Sequence, residues 1–371
     1  MMDKLTIGVL FGGRSGEHAV SLMSARFVLS VLDRARYDVI EIGITRRGEW
    51  LTGENVLAVM ESGAYDRLQP VTLLPDPTRA GLYRLDADGL KPLAQLDVLF
   101  PVLHGTFGED GTLQGLLEMA EMAYVGPGVA GAAVGMDKAI FADLMRAQGI
   151  PVVPGVLALR SEMGSSMDTV LDRVEAGLAD YPYFVKPANL GSSVGVSKVK
   201  SRSDLVEGLL EAAEYDRRVL VQKGLDVREI EVSVMGNDQP IASVCGEVLP
   251  GEEFYSYNAK YHDERSRTVI PAKIPETTAE RIRALAVKAY AACDMAGLAR
   301  ADFFLDRKTG EVYINEINTI PGFTSISMYP MLWAASGVSN ADLVDKLIAY
   351  ALERKAQRDA TRREFEREAS A

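Results

Sequence analysis

The sequence contains few of the residues on which disulfide-rich and zinc proteins depend. Its 371 residues include two cysteines, Cys245 and Cys293, and three histidines, His18, His104 and His262. Each cysteine lies among apolar or small neighbours, which is typical of a buried thiol in a reducing compartment and not of a disulfide framework. The histidines lack the close spacing of zinc ligands. We therefore expect neither disulfides nor a zinc site.

Long hydrophobic runs and an excess of positive charge are also missing. No run of about 18 apolar residues indicates a membrane span, and the N-terminal MMDKLTIGVLFGG enters a strand before a signal peptide of adequate length could form. The net charge of −12 argues against binding to nucleic acid, whose phosphates must be neutralised. The composition, 47% hydrophobic and 25% charged, is typical of a globular protein. We expect a cytoplasmic protein of two or three domains, with no membrane or nucleic-acid partner.

The first third of the chain alternates predicted strands with predicted helices. The apolar segments LTIGVLFGG, YDVIEIGIT and LDVLFPVLHG predict strands, and helices are predicted over residues 21–32 and 112–121. Such alternation indicates a parallel sheet with helices on its faces, an α/β domain over residues 1–126. The polar stretch 61–91 interrupts the pattern and is predicted to be an insertion of small irregular elements.

The rest of the chain predicts two α+β units. Residues 127–222 combine a helix at 138–148 with the strands PYFVKP, VGVSKV and RVLVQKGL. Residues 223–358 combine the strands EIEVSVMG and IASVCGEVL with a polar loop, a helix and a C-terminal hairpin. The densely charged tail, residues 359–371, is predicted to be exposed to solvent.

The hairpin at residues 300–327, RADFFLDRKTGEVYINEINTIPGFTSIS, carries the most informative polar residues. A turn within DRKTGE places Asp302 opposite Asn315 or Glu316, and strand alternation points Glu316 and Asn318 the same way. Crowded carboxylates repel one another unless a cation or a proton intervenes, and an oxygen-only ligand set suits Mg²⁺ bound with phosphates. The alternative is a solvated strand end that carries acidic residues and no metal.

Two lysines lie at positions where a bound phosphate would account for their positive charge. Lys138 lies in the first turn of a predicted helix, where a cation opposes the macrodipole by about 0.3–1 kcal/mol unless an anion binds there. Lys186 ends an apolar strand and is followed by the glycine-rich loop ANLGSS and a second strand. That arrangement drapes backbone N–H groups over a triphosphate, although it is not a Walker A loop. A solvent-facing lysine and a structural hairpin are the respective alternatives.

Three further segments could contact small ligands. The loop FGGRSGEHAVS places Glu17 near a helix start, where its carboxylate either compensates the dipole or holds an ammonium group. The backbone of residues 223–225 could bond to an adenine edge, and Glu229 could accept hydrogen bonds from ribose hydroxyls. The polar loop 250–271 has the length of a lid and carries aromatic residues and Lys260. The alternative for that loop is a disordered surface segment.

Taken together, these segments resemble the ATP-grasp superfamily and, within it, the D-alanine–D-alanine ligases. The resemblance spans nearly the whole chain, to about Tyr350, and rests on FGGRSGEHAVS, HGTFGEDGTLQG, MDKAIF, FVKPANLGSSVGVSKV, EFYSYNAKY, RADFFLD and EINTIPGFTSIS. It implies an ATP-grasp fold, in which two α+β subdomains clasp ATP, preceded by a Rossmann-like parallel α/β N-terminal domain. It also implies ATP-dependent joining of two D-alanine molecules for peptidoglycan synthesis, with two Mg²⁺ ions (or Mn²⁺) as cofactors, in a homodimer.

The resemblance also implies roles for the matching residues. Glu17 is similar to the acid that receives the ammonium of the first D-alanine, with His104 nearby. Ser327 resembles the residue that binds the carboxylate of the second D-alanine, and Arg300 with the backbone N–H around Gly322 resembles the oxyanion donors. The implied ATP-binding residues are Lys138, Lys186, Ser192, Ser193, Gln222, Lys223, Leu225, Glu229 and Lys260. The implied metal ligands are Asp302, Glu316 and Asn318. The trio implied to lock the lid is Glu17, Ser192 and Tyr261.

The sequence departs from the family pattern at one adenine-binding position and leaves some alternatives to weigh. Gln222 stands where many relatives have a Glu that contacts the adenine amino group, and its amide carbonyl offers the same acceptor. Depsipeptide-forming relatives typically have His where this chain has Tyr261, which favours D-alanine over D-serine or D-lactate as the second substrate. A catalytically silent nucleotide-binding module is disfavoured by the joint presence of Arg300 and the metal ligands. A nicotinamide-dependent dehydrogenase is disfavoured by the missing G-x-G-x-x-G.

Overall fold

The computed structural model describes residues 4–249 and 267–362. The N-terminal part forms a seven-stranded sheet in the order β6-β5-β4-β3-β2-β1-β7. Its strands are β1 (Leu5–Gly12), β2 (Tyr37–Ile44), β3 (Trp50–Thr52), β4 (Gln69–Leu73), β5 (Leu82–Asp86), β6 (Gly89–Ala94) and β7 (Val98–Pro101). Its helices are α1 (His18–Val31), α2 (Val56–Ser62) and α3 (Thr112–Met119).

This sheet is parallel only where the alternating pattern predicted it. Strand β1 pairs in parallel with β2 and β7, whereas β2 through β6 pair antiparallel. The prediction of irregular elements at 61–91 was wrong, because three antiparallel strands begin in this stretch and extend the sheet. Val71, Leu73 and Leu82 bury their side chains against the same cluster as Ile42. The short apolar segments of this stretch therefore form strands, and the neighbouring prolines and polar residues hide the strand pattern in the sequence.

The central part forms a four-stranded antiparallel sheet in the order β10-β9-β11-β8, with helices around it. Its strands are β8 (Gly155–Leu159), β9 (Tyr183–Pro187), β10 (Ser197–Val199) and β11 (Arg218–Lys223). Its helices are α4 (Val129–Met136), α5 (Lys138–Ala147), α6 (Arg160–Ser165), α7 (Met167–Leu178) and α8 (Arg202–Tyr215). Helix α5 begins where predicted because the Asp137 side chain accepts hydrogen bonds from the amides of Ala139 and Ile140.

The third part forms a five-stranded antiparallel sheet in the order β14-β13-β12-β15-β16. Its strands are β12 (Val227–Gly236), β13 (Ile241–Leu249), β14 (Arg267–Val269), β15 (Gly297–Asp306) and β16 (Val312–Asn318). Its helices are α9 (Glu276–Ala292), α10 (Met328–Ala335) and α11 (Asn340–Asp359). Most of the predicted lid, residues 250–266, and most of the charged tail, residues 363–371, lie outside the described residues. Residues 267–269, near the end of the predicted lid loop 250–271, form strand β14.

The last helix, α11, packs against the first sheet. Leu343, Leu347 and Ile348 of α11 belong to the same buried cluster as Val9 of β1 and Phe100 of β7. The third part of the chain therefore packs directly against the N-terminal sheet, and this contact sets the first sheet beside the hairpin of β15 and β16. No helix in the described ranges combines the length and the apolar composition that a membrane crossing requires. The predicted domain boundaries stay a prediction.

Candidate active site

Two cavities meet at one wall. The larger, of about 590 Å³, lies between the four-stranded and five-stranded sheets. The smaller, of about 150 Å³, lies between loops of the N-terminal part and the hairpin of β15 and β16. The residues that line both cavities form what we call the shared wall: Lys138, Gly191, Ser192, Glu231 and Glu316. A molecule in one cavity is therefore within reach of a molecule in the other.

The residues that the sequence analysis singled out divide between these cavities. Those that line the larger cavity are Lys138, Lys186, Ser192, Ser193, Gln222, Lys223, Leu225, Glu229, Asp302 and Glu316. Those that line the smaller cavity are Glu17, His104, Lys138, Ser192, Arg300, Glu316, Asn318, Gly322 and Ser327. The remaining two, Lys260 and Tyr261, lie outside the described residues. Lys138, Ser192 and Glu316 line both cavities, and the implied metal ligand Asn318 lines the smaller one. The other described residues with implied nucleotide or metal roles line the larger cavity, and those with implied amino-acid roles line the smaller one. The roles themselves stay predictions.

The register of the hairpin brings the acidic residues together. Asp302 of β15 lies opposite Glu316 of β16, and Arg300 lies opposite Asn318. Asn318 Nδ2 donates to Asp302 Oδ2 over 2.9 Å. Directly opposite residues on neighbouring strands share a face of the sheet. The three predicted metal ligands therefore lie on one face, at the end of the hairpin that borders the cavities.

The donor set fits a hard cation. In the described part of the chain, no group of three or more His, Cys, Asp or Glu side chains is arranged to hold a metal; the predicted set is two carboxylates and one amide. Each carboxylate already holds a cationic side chain, Asp302 that of Arg300 at 2.7 Å and Glu316 that of Lys138 at 3.3 Å. These half-buried carboxylates are thus both compensated by positive charge, and oxygen-only ligands are those that Mg²⁺ prefers.

Arg300 is clamped between two acids. Its Nε donates to Asp302 Oδ1 and its Nη2 to Asp302 Oδ2, both over 2.7 Å. Glu231 Oε2 lies 2.9 Å from Nε. Burial lowers the pKa of Arg300, and the charges of Asp302 and Glu231 outweigh that effect, so the net pKa is raised well above its ordinary value. The guanidinium is thus a fixed positive charge beside the smaller cavity.

Glu17 joins the N-terminal part to the glycine-rich loop that follows β9. The Ser192 hydroxyl donates to Glu17 Oε1. Gly105, at φ +74°, and Gly191 crowd the same carboxylate, and a Cβ on either would lie within 3.0 Å of Glu17 Oε2. A side chain at Gly105 would be strained by its positive φ, and one at either position would force the Glu17 carboxylate to move. Two members of the predicted lid-locking trio are therefore in contact, while Tyr261 lies outside the described residues.

His104 holds a loop next to the smaller cavity. Its Nδ1 bonds to the carbonyl of Ile320 over 3.0 Å, and its Nε2 to Ser24 Oγ over 2.8 Å. A carbonyl only accepts, so Nδ1 carries the proton and Nε2 accepts from the serine hydroxyl. Burial lowers the pKa of His104, which keeps the ring neutral. Since Ser24 Oγ also accepts from the Phe323 amide, the histidine fixes the loop that contains Gly322.

The two predicted phosphate lysines both line the larger cavity and come from different elements. Lys138 Nζ donates to the carbonyl of Leu190 over 2.8 Å, in the loop after β9. Lys186 Nζ donates to Asn315 Oδ1 over 3.4 Å, next to Glu316. The same loop contains Ser192 and Ser193, which have positive φ angles of 53° and 58°. Consecutive non-glycine residues in this conformation cost about 1–3 kcal/mol each and are typical of ligand-binding loops.

Family models described as D-ala D-ala ligase N-terminus and D-ala D-ala ligase C-terminus match residues 6–127 and 144–349. The chain is 50% identical over 364 residues to the D-alanine–D-alanine ligase of Heliobacterium modesticaldum, covering 98% of this chain and 99% of that protein. It is 47% identical over 365 residues to that of Natranaerobius thermophilus, with the same shares covered. The chain belongs to the D-alanine–D-alanine ligase family.

Solved structures agree with this assignment. The D-alanine–D-alanine ligase from Coxiella burnetii superposes with a TM-score of 0.82 at 34% identity, over 96% of each chain. The D-Ala:D-Ser ligase VanG from Enterococcus faecalis superposes with a TM-score of 0.84 at 34% identity, over 94% of this chain and all of that one. The predicted ATP-grasp fold and the predicted family are confirmed.

Glu109 is a buried acid of this family member to which the sequence analysis gave no role. It lies in the motif HGTFGEDG and lines the smaller cavity. Its Oε2 accepts from the Gly105 amide over 2.7 Å and its Oε1 from the Ile320 amide over 3.1 Å. It therefore ties the loop beside Glu17 to the loop that contains Gly322. Its position between glycines was the signal in the sequence that could have drawn attention to it. Only the fold shows that its hydrogen-bond partners lie 4 and 211 residues away along the chain.

Glu109 should make the stability of this ligase depend on pH. Burial, and secondly the charge of Glu17, raise the pKa of Glu109 from 4.5 to about 8. A raised folded-state pKa gives a contribution to stability that is complete below pH 4.5 and is lost as the pH rises to about 8. Between these limits we expect the unfolding free energy of the wild type to fall relative to that of Glu109→Gln, by at most about 1.4 kcal/mol per pH unit. Urea denaturation of both proteins from pH 4.5 to 8.5 measures this, and parallel curves would contradict it.

Proposed function

We propose that the protein joins two D-alanine molecules into D-alanyl-D-alanine and converts ATP to ADP and phosphate, as a step in making peptidoglycan precursors. The observation that carries this proposal is the shared wall, because a nucleotide-sized cavity and a smaller cavity meet at Lys138, Ser192 and Glu316. An enzyme that moves a phosphoryl group from ATP to a small acid needs this juxtaposition.

ATP belongs in the larger cavity. The adenine would lie against the backbone of residues 223–225 and Gln222, with Glu229 at the ribose. The triphosphate would lie under the loop of Ser192 and Ser193, where Lys138 and Lys186 supply positive charge. Asp302, Glu316 and Asn318 would hold Mg²⁺, which neutralises the charge of the transferring group when bound. Lys260, a further implied phosphate ligand, lies outside the described residues.

The two amino acids belong in the smaller cavity. The ammonium of the first D-alanine would pair with Glu17, which leaves its carboxylate at the shared wall. Ser327 would bind the carboxylate of the second D-alanine. Ser327 is the N-cap of α10, and a helix N-terminus favours an anion. Its hydroxyl also accepts from the Thr324 amide over 3.0 Å, which fixes the side chain.

The reaction then needs two bond exchanges and no covalent enzyme intermediate. A carboxylate oxygen of the first D-alanine attacks the γ-phosphorus, ADP leaves, and D-alanyl phosphate forms. The second D-alanine first loses one ammonium proton to solvent, and its amine then attacks the acyl carbon. Phosphate leaves with the oxygen that joined it to carbon, and the nitrogen releases a second proton to solvent as the amide forms. Arg300 and the backbone N–H around Gly322 would stabilise the oxyanion between these events, a role worth about 2.7–4 kcal/mol per donor. Exclusion of water by the predicted lid would protect the acyl phosphate.

Phosphate release with a panel of second substrates tests this proposal. The purified protein, ATP and Mg²⁺ are supplied with D-alanine alone, L-alanine alone, and D-alanine paired with D-serine or D-lactate. We expect one phosphate per dipeptide with D-alanine, and little release with L-alanine. A preference for D-serine or D-lactate would change the second substrate and keep the reaction class, whereas no activity with any pair would contradict the proposal. A cytoplasmic homodimer is the setting that we propose, and the elution volume on gel filtration checks the dimer.

A further inference from the structure

Glu231 is a buried acid in the shared wall that the sequence analysis did not single out. Its side chain is 9% exposed, and it lines both cavities. On β12 it lies directly opposite Asp302 of β15, which lies directly opposite Glu316 of β16. Opposite residues on neighbouring strands share a face. Three carboxylates therefore form a row across the sheet in the order Glu231, Asp302, Glu316.

Lys138 and Arg300 pair with different members of this row of three acids. Lys138 Nζ lies 3.3 Å from Glu316 Oε2, at one end. Arg300 Nε lies 2.7 Å from Asp302 Oδ1 and 2.9 Å from Glu231 Oε2. The guanidinium is therefore shared between the middle acid and the acid at the other end. Both oxygens of Asp302 are engaged by Arg300.

A divalent cation would compete with Arg300 for the carboxylate of Asp302. Oδ1 and Oδ2 both accept from the guanidinium and Oδ2 also accepts from Asn318 Nδ2, and these three hydrogen bonds leave little acceptor capacity for a metal. A dication beside a guanidinium also repels it strongly in a site shielded from water. A cation between Asp302 and Glu316 would lie at the far side of Asp302 from Glu231. Glu231 then remains in direct contact with the guanidinium, at 2.9 Å from Nε, and opposes its charge.

We propose that Glu231 is a positioning residue, which keeps the Arg300 guanidinium in the shared wall while Asp302 binds the divalent cation of the nucleotide. This inference rests on the proposed function, because it concerns the arginine that faces the oxyanion during ligation. Removing the charge of Glu231 lets Arg300 shift and leaves in place the residues that are predicted to bind the nucleotide and Mg²⁺. The loss should therefore fall on turnover and not on binding of the nucleotide or of Mg²⁺.

Glu231→Gln tests this inference, since it keeps the size of the side chain and removes its charge. We expect kcat for dipeptide formation to fall about 10- to 100-fold, the range typical of residues that orient a functional group. We expect KM for ATP to change by less than about twofold. Calorimetric titration of Mg²⁺ and ADP into the protein, without turnover, should give the same affinities as the wild type. A tenfold or larger loss of Mg²⁺ affinity would make Glu231 a metal ligand and overturn the inference.

A double-mutant cycle with Arg300→Lys separates action through Arg300 from a general effect on folding. If Glu231 acts through Arg300, adding Glu231→Gln to Arg300→Lys should lower kcat by less than about threefold, because residues that act together are non-additive. Full additivity of the two effects would overturn the inference. Thermal unfolding of each variant gives the folded fraction by which rates are corrected.

Glu247→Gln is the matched control. Glu247 lies on the next strand, β13, its side chain is 6% exposed, and it forms a bidentate pair with Arg228 over 2.7 and 2.6 Å. It lines neither cavity. We expect its loss to lower thermal stability and leave kcat within about twofold of the wild type. Wild-type kcat in Glu231→Gln would overturn this inference alone, whereas a wild-type protein without ligase activity would overturn the proposed function.

Discussion

Replacing Arg300 with alanine is expected to lower dipeptide turnover about 10²- to 10³-fold, the cost of one lost oxyanion donor. The KM for ATP should stay close to that of the wild type, because Arg300 lines the smaller cavity and not the larger one. Steady-state rates of dipeptide formation over a range of ATP and D-alanine concentrations measure both quantities. A lower kcat at unchanged KM for ATP is the result that an oxyanion role predicts.

The alanine variant also leaves Asp302 and Glu231 without their shared cation. Breaking a buried ion pair costs about 3–5 kcal/mol, so part of the protein could unfold at the assay temperature. Arg300→Lys is the control for this loss, since it keeps one positive charge and removes the planar fork that bonds Asp302 at two points. We expect it to be more stable than Arg300→Ala and still impaired in turnover. Wild-type turnover in Arg300→Ala would remove Arg300 from the mechanism.

Replacing Glu316 with glutamine is expected to lower turnover by about 10³-fold. Bound Mg²⁺ would stabilise the charge of the transition state by several kcal/mol, and Glu316 is a predicted ligand of that ion. The Mg²⁺ concentration for half-maximal activity should rise, since an amide is a weaker ligand for a hard cation. Activity measured against Mg²⁺ concentration at saturating ATP separates the two effects.

Glu311→Gln is the matched control for this change. Glu311 precedes β16 on the same hairpin and its side chain is 53% exposed, paired with Arg281 over 3.6 Å. An exposed pair of this kind contributes about 0–1 kcal/mol, so neither the rate nor the Mg²⁺ dependence should change. Identical Mg²⁺ curves for Glu316→Gln and the wild type would show that Glu316 is not a metal ligand.

The elements that local patterns define were predictable from the sequence. The hairpin of β15 and β16 has apolar strands and a polar turn, and the turn position predicted that Asp302 lies opposite Asn315 or Glu316. The structure pairs Asp302 with Glu316, with a shift of register directly after Asp302. Helix α5 begins at Lys138 because Asp137 is a strong N-cap, and this signal is local as well. The ordered set of motifs then placed the chain in its family.

The contacts that only tertiary structure creates were not predictable. Glu231 looks like an ordinary polar residue in a strand, and only the pairing of β12 with β15 puts it beside Asp302 and Arg300. Glu109 acquires its role from the Ile320 amide, in a loop that the motif does not contain. The antiparallel strands of residues 69–94 were missed because their short apolar segments become strands only by joining the edge of an existing sheet.

The fate of one oxygen atom tests the central claim most directly. D-Alanine labelled with ¹⁸O in its carboxylate is incubated with ATP, Mg²⁺ and the protein, and the released phosphate is analysed by mass spectrometry. If the carboxylate attacks the γ-phosphorus and the amine then displaces phosphate from the acyl carbon, one ¹⁸O atom passes to phosphate for every dipeptide formed. Dipeptide formed with unlabelled phosphate would contradict an acyl phosphate intermediate, and with it the account of the shared wall.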